Sequence, residues 1–347
     1  MAASLASTDA KRANHGIGIV THSGTHHADE ALAVHLLRKL PRFASEPLTR
    51  TRDAALIDRA TIVVDVGATY EPEKWRFDHH QRGFDEVFDG AHGTKLSSAG
   101  LVWKHFGKEI LAAHLTLAQT DATVDLLHVK LYDDFVEAID GIDNGIPLYA
   151  DLPAEVRPAY RSKTDLSSRI AHLNPSWNET LPADPEARQR DQDERFERAS
   201  TLAGTEFFDR VDYAYRSWLP ARRLVEAAMD ASKATPRLVV FDSYVGWKDH
   251  LFTLEAERNL DDASNTLYVV YPDEAGKWRV QAVPKTPESF ASRKALPEPW
   301  RGVRDDELSS KTGIPGCIFV HQSGFIGGNA TKEGALKMAH DALAFTA

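Results

Sequence analysis

The stretch Ile17-Gly18-Ile19-Val20-Thr21-His22-Ser23-Gly24-Thr25-His26-His27-Ala28-Asp29-Glu30 starts as an apolar strand, passes through a polar turn and enters a helix. Ile19 and Val20 suit a buried strand, and Ser23-Gly24 breaks it. From His27 to Leu40, apolar residues stand at Ala28, Ala31, Leu32, Val34, Leu36 and Leu37, a helical spacing that Pro41 stops. A second strand, Thr61-Ile62-Val63-Val64-Asp65-Val66, is apolar up to Asp65 and is closed by Gly67. Ser97 and Ser98 suit the cap of a helix through Leu101, Val102 and Phe106. A further helix covers about 124–140, before the turn Asn144-Gly145-Ile146-Pro147. Strands alternating with helices predict an α/β fold on a doubly wound, mostly parallel sheet.

Working outward, the character changes over residues 184–235. Charges crowd in at Arg188, Arg190, Asp191, Asp193, Glu194 and Arg195, and a helical pattern runs through Phe207, Phe208, Val211 and Leu224. Several aromatics and a single glycine, Gly204, make this a helical connector, not a flexible linker. Beyond Pro236, Leu238–Phe241, Thr266–Tyr271, Trp278–Val283 and Ile318–Val320 read as strands, and a helix runs from near Thr331 to Phe345. The expected organisation is a disordered tail over 1–14, a first domain over 15–183, the connector over 184–235 and a smaller C-terminal α/β domain over 236–347.

The 347 residues, 42% hydrophobic and 27% charged, have the balance of a globular chain. A single cysteine, Cys317, excludes an internal disulfide and a cysteine-based zinc site. No run approaches the roughly 18 apolar residues of a membrane span, so no membrane partner is expected. The N-terminal MAASLASTDAKRANHG lacks the apolar centre of a secretory signal. An intracellular, by default cytoplasmic, location is expected, with mitochondrial and nuclear destinations left open. The formal charge is −10, which argues against coating nucleic acid by bulk charge. Residues 1–180 carry 19 basic and 25 acidic groups, so most of the acidic excess sits there. Nine of the 15 histidines lie in the first 105 residues.

Four patches share one chemistry. His22, His26, His27, Asp29 and Glu30 straddle the first turn; Asp65 ends the second strand; Asp78-His79-His80 follow; and Asp140-Gly141-Ile142-Asp143-Asn144-Gly145 lie at a helix end. In a doubly wound sheet, ligands collect at the carboxyl ends of strands. Imidazole and carboxylate donors suit divalent cations. The supply exceeds what one ion needs and fits two ions roughly 3.5–4 Å apart, the geometry that clamps a phosphoryl group. An acid closing a Val-Val strand, as Asp65 does, is costly unless paired.

These residues carry a resemblance. Thr21-His22, His27-Ala28-Asp29-Glu30, Val64-Asp65, Phe77-Asp78-His79-His80-Gln81, Leu96-Ser97-Ser98-Ala99-Gly100 and Ile139-Asp140-Gly141-Ile142-Asp143-Asn144-Gly145 resemble the melanocyte-proliferating-gene family, a branch of the DHH phosphoesterase superfamily. Ser217-Trp218-Leu219-Pro220-Ala221-Arg222 and His321 to Asn329 extend the likeness to about residues 15–345. The resemblance implies a DHH-like catalytic domain, a C-terminal substrate-binding domain, and a metal-dependent phosphodiesterase that is a 3′–5′ exoribonuclease in eukaryotic members. It implies two divalent ions, Mn²⁺ or Mg²⁺, held by His22, His27, Asp29, Asp65, Asp78 and His79 with Asp140 or Asp143. Asp65 would bridge, and Asp143 is preferred because Asp-Asn-Gly resembles the superfamily's Asp-Thr-Gly turn. Asp78, His79 and His80 would form the catalytic set, with His80 facing the phosphate or orienting a ligand. His26 stands where relatives carry an aromatic residue, offering an extra ligand or proton-transfer group, and Ala330 stands where a basic residue often follows Gly-Gly-Asn.

In the second domain, Gly327-Gly328-Asn329 leads into a helix. Glycines let backbone N–H groups approach an anion, so Gly327, Gly328 and Asn329, with His321, Arg258 and Arg222, are the expected substrate contacts. The expected partner is single-stranded RNA or a short oligonucleotide, with a homodimer allowed for. Two other readings stay open: a small-molecule phosphohydrolase acting on a nanoRNA, a dinucleotide or pyrophosphate, and a non-catalytic metal-binding interaction protein. No His-Glu-x-x-His helix supports a metalloprotease-like amidohydrolase.

Overall fold

The computed structural model describes residues 17–149, 156, 160–232 and 237–346; the tail read over 1–14 lies outside them. The chain divides into two compact units, 1–214 and 215–347. Among the described residues no helix is long and apolar enough to cross a membrane.

The first unit is built on a five-stranded sheet of order β2-β1-β3-β5-β4. Its strands are β1 (Ile19–Thr21), β2 (Leu48–Arg50), β3 (Ile62–Val64), β4 (Tyr70–Glu71) and β5 (Arg76–Phe77). β1 pairs in parallel with β2 and β3, and β3 with β5, while β4 is an antiparallel edge on β5. Every residue of β1 and β3 is buried, as befits short β-branched strands in the middle of a parallel sheet. The helices are α1 (Ala28–Leu37), α2 (Ala54–Asp58), α3 (Ser98–Leu115), α4 (Ala122–Leu131), α5 (Glu137–Asp143), α6 (Leu166–Ala171) and α7 (Pro185–Tyr213). α1 buries Leu32, Leu36 and Leu37 and packs against α3 and α7. The predicted 124–140 helix is present, running without a break through α4 and α5 across a π-helical turn over Tyr132–Val136.

The second unit carries a sheet of order β6-β7-β8-β10-β9, made from β6 (Leu238–Val240), β7 (Tyr268–Pro272), β8 (Trp278–Ala282), β9 (Cys317–Val320) and β10 (Ile326–Asn329). Only β6 and β7 are parallel; the other pairings are antiparallel. The mostly parallel, doubly wound description therefore belongs to the first sheet. Three further helices, α8 (Leu219–Ala231), α9 (Lys248–Glu257) and α10 (Asp305–Thr312), precede the terminal α11 (Lys332–Ala344). One sheet face packs Tyr268, Val270 and Val280 against Leu308 of α10 and Met338 of α11. The other packs Val239 and Val269 against Val225 of α8 and Leu251 of α9. The connector read over 184–235 is divided accordingly: α7 buries Phe196 and Phe207 in the first unit, whereas α8 buries Val225 in the second.

Candidate metal centre

The turn after β3 starts the site. Asp65 takes a left-handed backbone conformation, φ 57°, which an aspartate tolerates better than a β-branched residue. Its carboxylate lies among three histidines: Oδ2 is 3.3 Å from His22 Nε2, and Oδ1 is 3.4 Å from His79 Nε2 and 3.5 Å from His80 Nδ1. β1 ends where His22 must emerge, and His22 Nε2 also lies 3.1 Å from Glu30 Oε1. Glu30 Oε1 accepts the backbone N–H of His27, so the glutamate that closes the start of α1 also faces the site. β5 delivers Asp78, whose Oδ2 accepts Ala68 N–H at 2.6 Å and whose Oδ1 lies 2.7 Å from His80 Nδ1. The end of α5 adds Asp143, 3.2 Å from His79 Nε2.

Donor atoms of His22, His27, Glu30 and Asp65 fall within 4.8 Å of one another, as do those of Asp65, Asp78, His79 and His80, and those of His27, Asp29 and Asp143. Asp65 belongs to the first two groups and His27 to the first and third. Asp29, Glu30, Asp65 and Asp78 are buried, and among the described residues the ion-pair partners of Glu30, Asp65 and Asp78 are histidines alone. Asp29 Oδ1, Glu30 Oε2 and His79 Nε2 have no hydrogen-bond partner. Buried carboxylates demand compensation, and this oxygen and imidazole donor set fits divalent cations.

Protonation reflects the crowding. Burial alone would lower His22, but hydrogen bonds to Asp65 and Glu30 outweigh it and push it up to about 10. His79 is likewise pushed up to about 10: burial lowers it, and Asp143 and Asp65 more than reverse that. Asp65 lies below the usual carboxylate range, because His22 and His79 overcome the opposing effect of its burial. Burial and the neighbouring Asp65, Asp143 and Glu30 hold Asp29 well above that range. A cavity of about 790 Å³ opens over the cluster, lined by His22, His27, Asp29, Asp65, Asp78 and Asp143 at one end and by Ile139 and Ile142 of α5 and Ser167 of α6 elsewhere. Among the described residues, Arg52 is the only arginine or lysine in its lining.

A family model described as MYG1_exonuc, uncharacterised protein family UPF0160, matches residues 18–343. The chain belongs to this family. It is 47% identical to the MYG1 protein of Dictyostelium discoideum, with 92% of this chain and 94% of that one aligned. It is also 47% identical to the MYG1 exonuclease of Mus musculus (94% and 84%) and 46% identical to that of Homo sapiens (94% and 85%). A solved structure of exonuclease RecJ bound to manganese aligns over 99% of this chain and 95% of that one at 13% identity, but its TM-score of 0.28 is too low to bear on the fold.

Within this family member, two residues of the ligand patches take other places. Asp140 is fully buried and is not in any of the donor groups. Its Oδ1 accepts Ser97 N–H and O–H and Gly100 N–H, at 2.9, 2.7 and 3.0 Å, so it caps the start of α3. Burial pushes it up to about 7 in spite of the Ser97 bonds. His26 is absent from the donor groups among the described residues: its ring packs edge-on against Phe196, and burial lowers it to about 4. Conversely, Glu30 and Ser98 join the centre although neither was read as a ligand. Ser98 donates its N–H to Asp29 Oδ2 at 3.2 Å and its hydroxyl to Asp65 Oδ1 at 3.4 Å. Their signals were the His27-x-x-Glu30 capping spacing and the paired serines opening a helix.

The contacts expected in the second unit are largely structural. Gly327 and Gly328 are buried in β10, paired with β8 and β9, and form no anion-binding loop. A Cβ on Gly328 would sit 2.4 Å from Arg279 Nη1, so the glycine makes room for that guanidinium. Asn329 is fully buried, and it donates to Pro315 O and accepts Thr331 N–H. Arg222 pairs with Glu257, and Arg258 with Asp230, ion pairs that tie α8 to the end of α9. His321 is exposed, bonded to Ser323 and edge-on to Phe325. Ala330 N–H bonds Gly316 O.

Proposed function

We propose that this chain is a metal-dependent phosphodiesterase, a 3′–5′ exoribonuclease that releases mononucleotides, working through two divalent cations held in the first unit. The observation that carries the proposal is Asp65, whose two carboxylate oxygens face different histidines and which belongs to two donor groups at once. His22, His27, Glu30 and Asp65 would hold one ion, and Asp65, Asp78 and His79 the other, while His27, Asp29 and Asp143 offer a third group of close donors. When bound, such ions supply charge stabilisation to a phosphoryl group and activate water. The chain's own groups orient the substrate. His80 engages Asp78 through Nδ1, leaving Nε2 for a phosphate oxygen, and Arg52 supplies a guanidinium to the cavity. The exonuclease names of the mouse and human relatives support the activity class.

A second reading, hydrolysis of very short substrates, is favoured by the single guanidinium that the described residues give the lining, since longer strands are held by many cationic contacts. One experiment separates the two: 5′-labelled RNA and DNA strands of about two to thirty nucleotides, digested with Mn²⁺ or Mg²⁺. Stepwise shortening of long RNA from its 3′ end supports the exoribonuclease. Cleavage confined to the shortest strands supports the second reading, and no metal-dependent cleavage of any strand overturns both.

A further inference from the structure

Asn144 follows the last residue of α5, immediately after Asp143, and its amide is oriented by its own bonds. Nδ2 donates to Lys95 O and to Asp140 O, both at 2.9 Å. A main-chain carbonyl only accepts, so the amide nitrogen must face that side and the oxygen the other. Oδ1 is thereby directed at the ring of His79, 3.2 Å from Nδ1. An amide oxygen also only accepts, so Nδ1 must carry the proton. The opposite nitrogen, Nε2, faces Asp65 at 3.4 Å and Asp143 at 3.2 Å and has no hydrogen-bond partner.

We propose that Asn144 is a positioning residue that keeps the proton on His79 Nδ1 when a cation displaces the one on Nε2, so that the Nε2 lone pair is aimed into the space between Asp65 and Asp143. The inference rests on the metal reading of that space. A ligating imidazole depends on the acceptor behind its other nitrogen for orientation and basicity, and loss of such a partner weakens metal binding about 10- to 100-fold. A turn-forming role is separable, because it uses the backbone and Nδ2, whereas the proposal needs Oδ1.

The test is calorimetric titration of the full-length chain with Mn²⁺ alone, comparing wild type, Asn144→Ala, His79→Ala and the double variant. Asn144→Ala is expected to bind Mn²⁺ about 10- to 100-fold more weakly, and to add no further loss once His79 is alanine. Wild-type affinity in Asn144→Ala, or losses that simply add in the double variant, overturns the proposal while leaving the metal site standing. Failure of wild type itself to take up Mn²⁺ overturns the metal reading and this inference together. Should Asn144→Ala not fold, nitrogen-15 NMR of Mg²⁺-loaded wild type decides. A proton on His79 Nδ1 is expected, and a proton on Nε2 contradicts the proposal.

Discussion

Asp140 and Asp143 lie one helical turn apart at the end of α5 and do different work. Asp140 accepts three hydrogen bonds at the start of α3, while Asp143 lies against His79 in the cluster. Asp140→Asn keeps an acceptor in place and is expected to retain Mn²⁺-dependent cleavage, whereas Asp143→Asn is expected to lose most of it in the same assay. Asp140→Ala strands those donors and should cost about 1–3 kcal/mol in urea unfolding. The sequence alone left these two aspartates open, because Asp-x-x-Asp spacing puts both on one helix face and only the tertiary partners separate them. His22 and His79 bring a pH dependence. Both are pushed up to about 10 in the metal-free protein, so cation binding must expel their protons. Mn²⁺ affinity is expected to rise from pH 7 toward 10, with proton release detectable in buffers of different ionisation enthalpy. The metal-free fold has the opposite sign: these raised values stabilise it fully below the ordinary histidine value of 6.5, and that stabilisation fades as pH climbs through about 10.

Helix α1 carries Asp29 and Glu30 into the centre, and its placement depends on how closely α7 approaches. A Cβ on Gly204 of α7 would sit 2.1 Å from the His35 ring of α1, so the two helices meet where a side chain is missing. Gly204→Ala is expected to destabilise the protein by about 1–3 kcal/mol, seen as a lower urea midpoint. An unchanged midpoint would show that the helices separate freely. Elements with strong periodicity, such as β1, α1, β3 and α11, were legible in the sequence. β2 was not: Leu48-Thr49-Arg50 is too short and polar to announce itself, and it is a strand because it pairs with β1. β10 was read as an anion loop because Gly327-Gly328 offers no side-chain pattern. Its strand character comes from β8 and β9 on either side.

At the scale of the whole chain, the acidic surplus of residues 1–180 coincides with the centre that holds Asp29, Glu30, Asp65, Asp78 and Asp143. That surplus is better understood as a requirement for cations than as rejection of a polyanion. The histidine skew and the four patches of histidine and acid are visible in the sequence because each candidate ligand sits where a strand or helix starts or ends, and the fold brings most of them together. The roles of Arg222, Arg258, Gly327, Gly328 and Asn329 in the second unit were not readable, because these residues look alike in sequence whether they hold a ligand or the fold. The most direct test of the account is Mn²⁺-dependent shortening of a 5′-labelled single-stranded RNA by wild type and by Asp65→Asn, both shown folded by circular dichroism. The account predicts stepwise loss of 3′ nucleotides by wild type, abolished by chelation, and a loss of rate of at least about 100-fold in Asp65→Asn. Equal cleavage by the two proteins would contradict it.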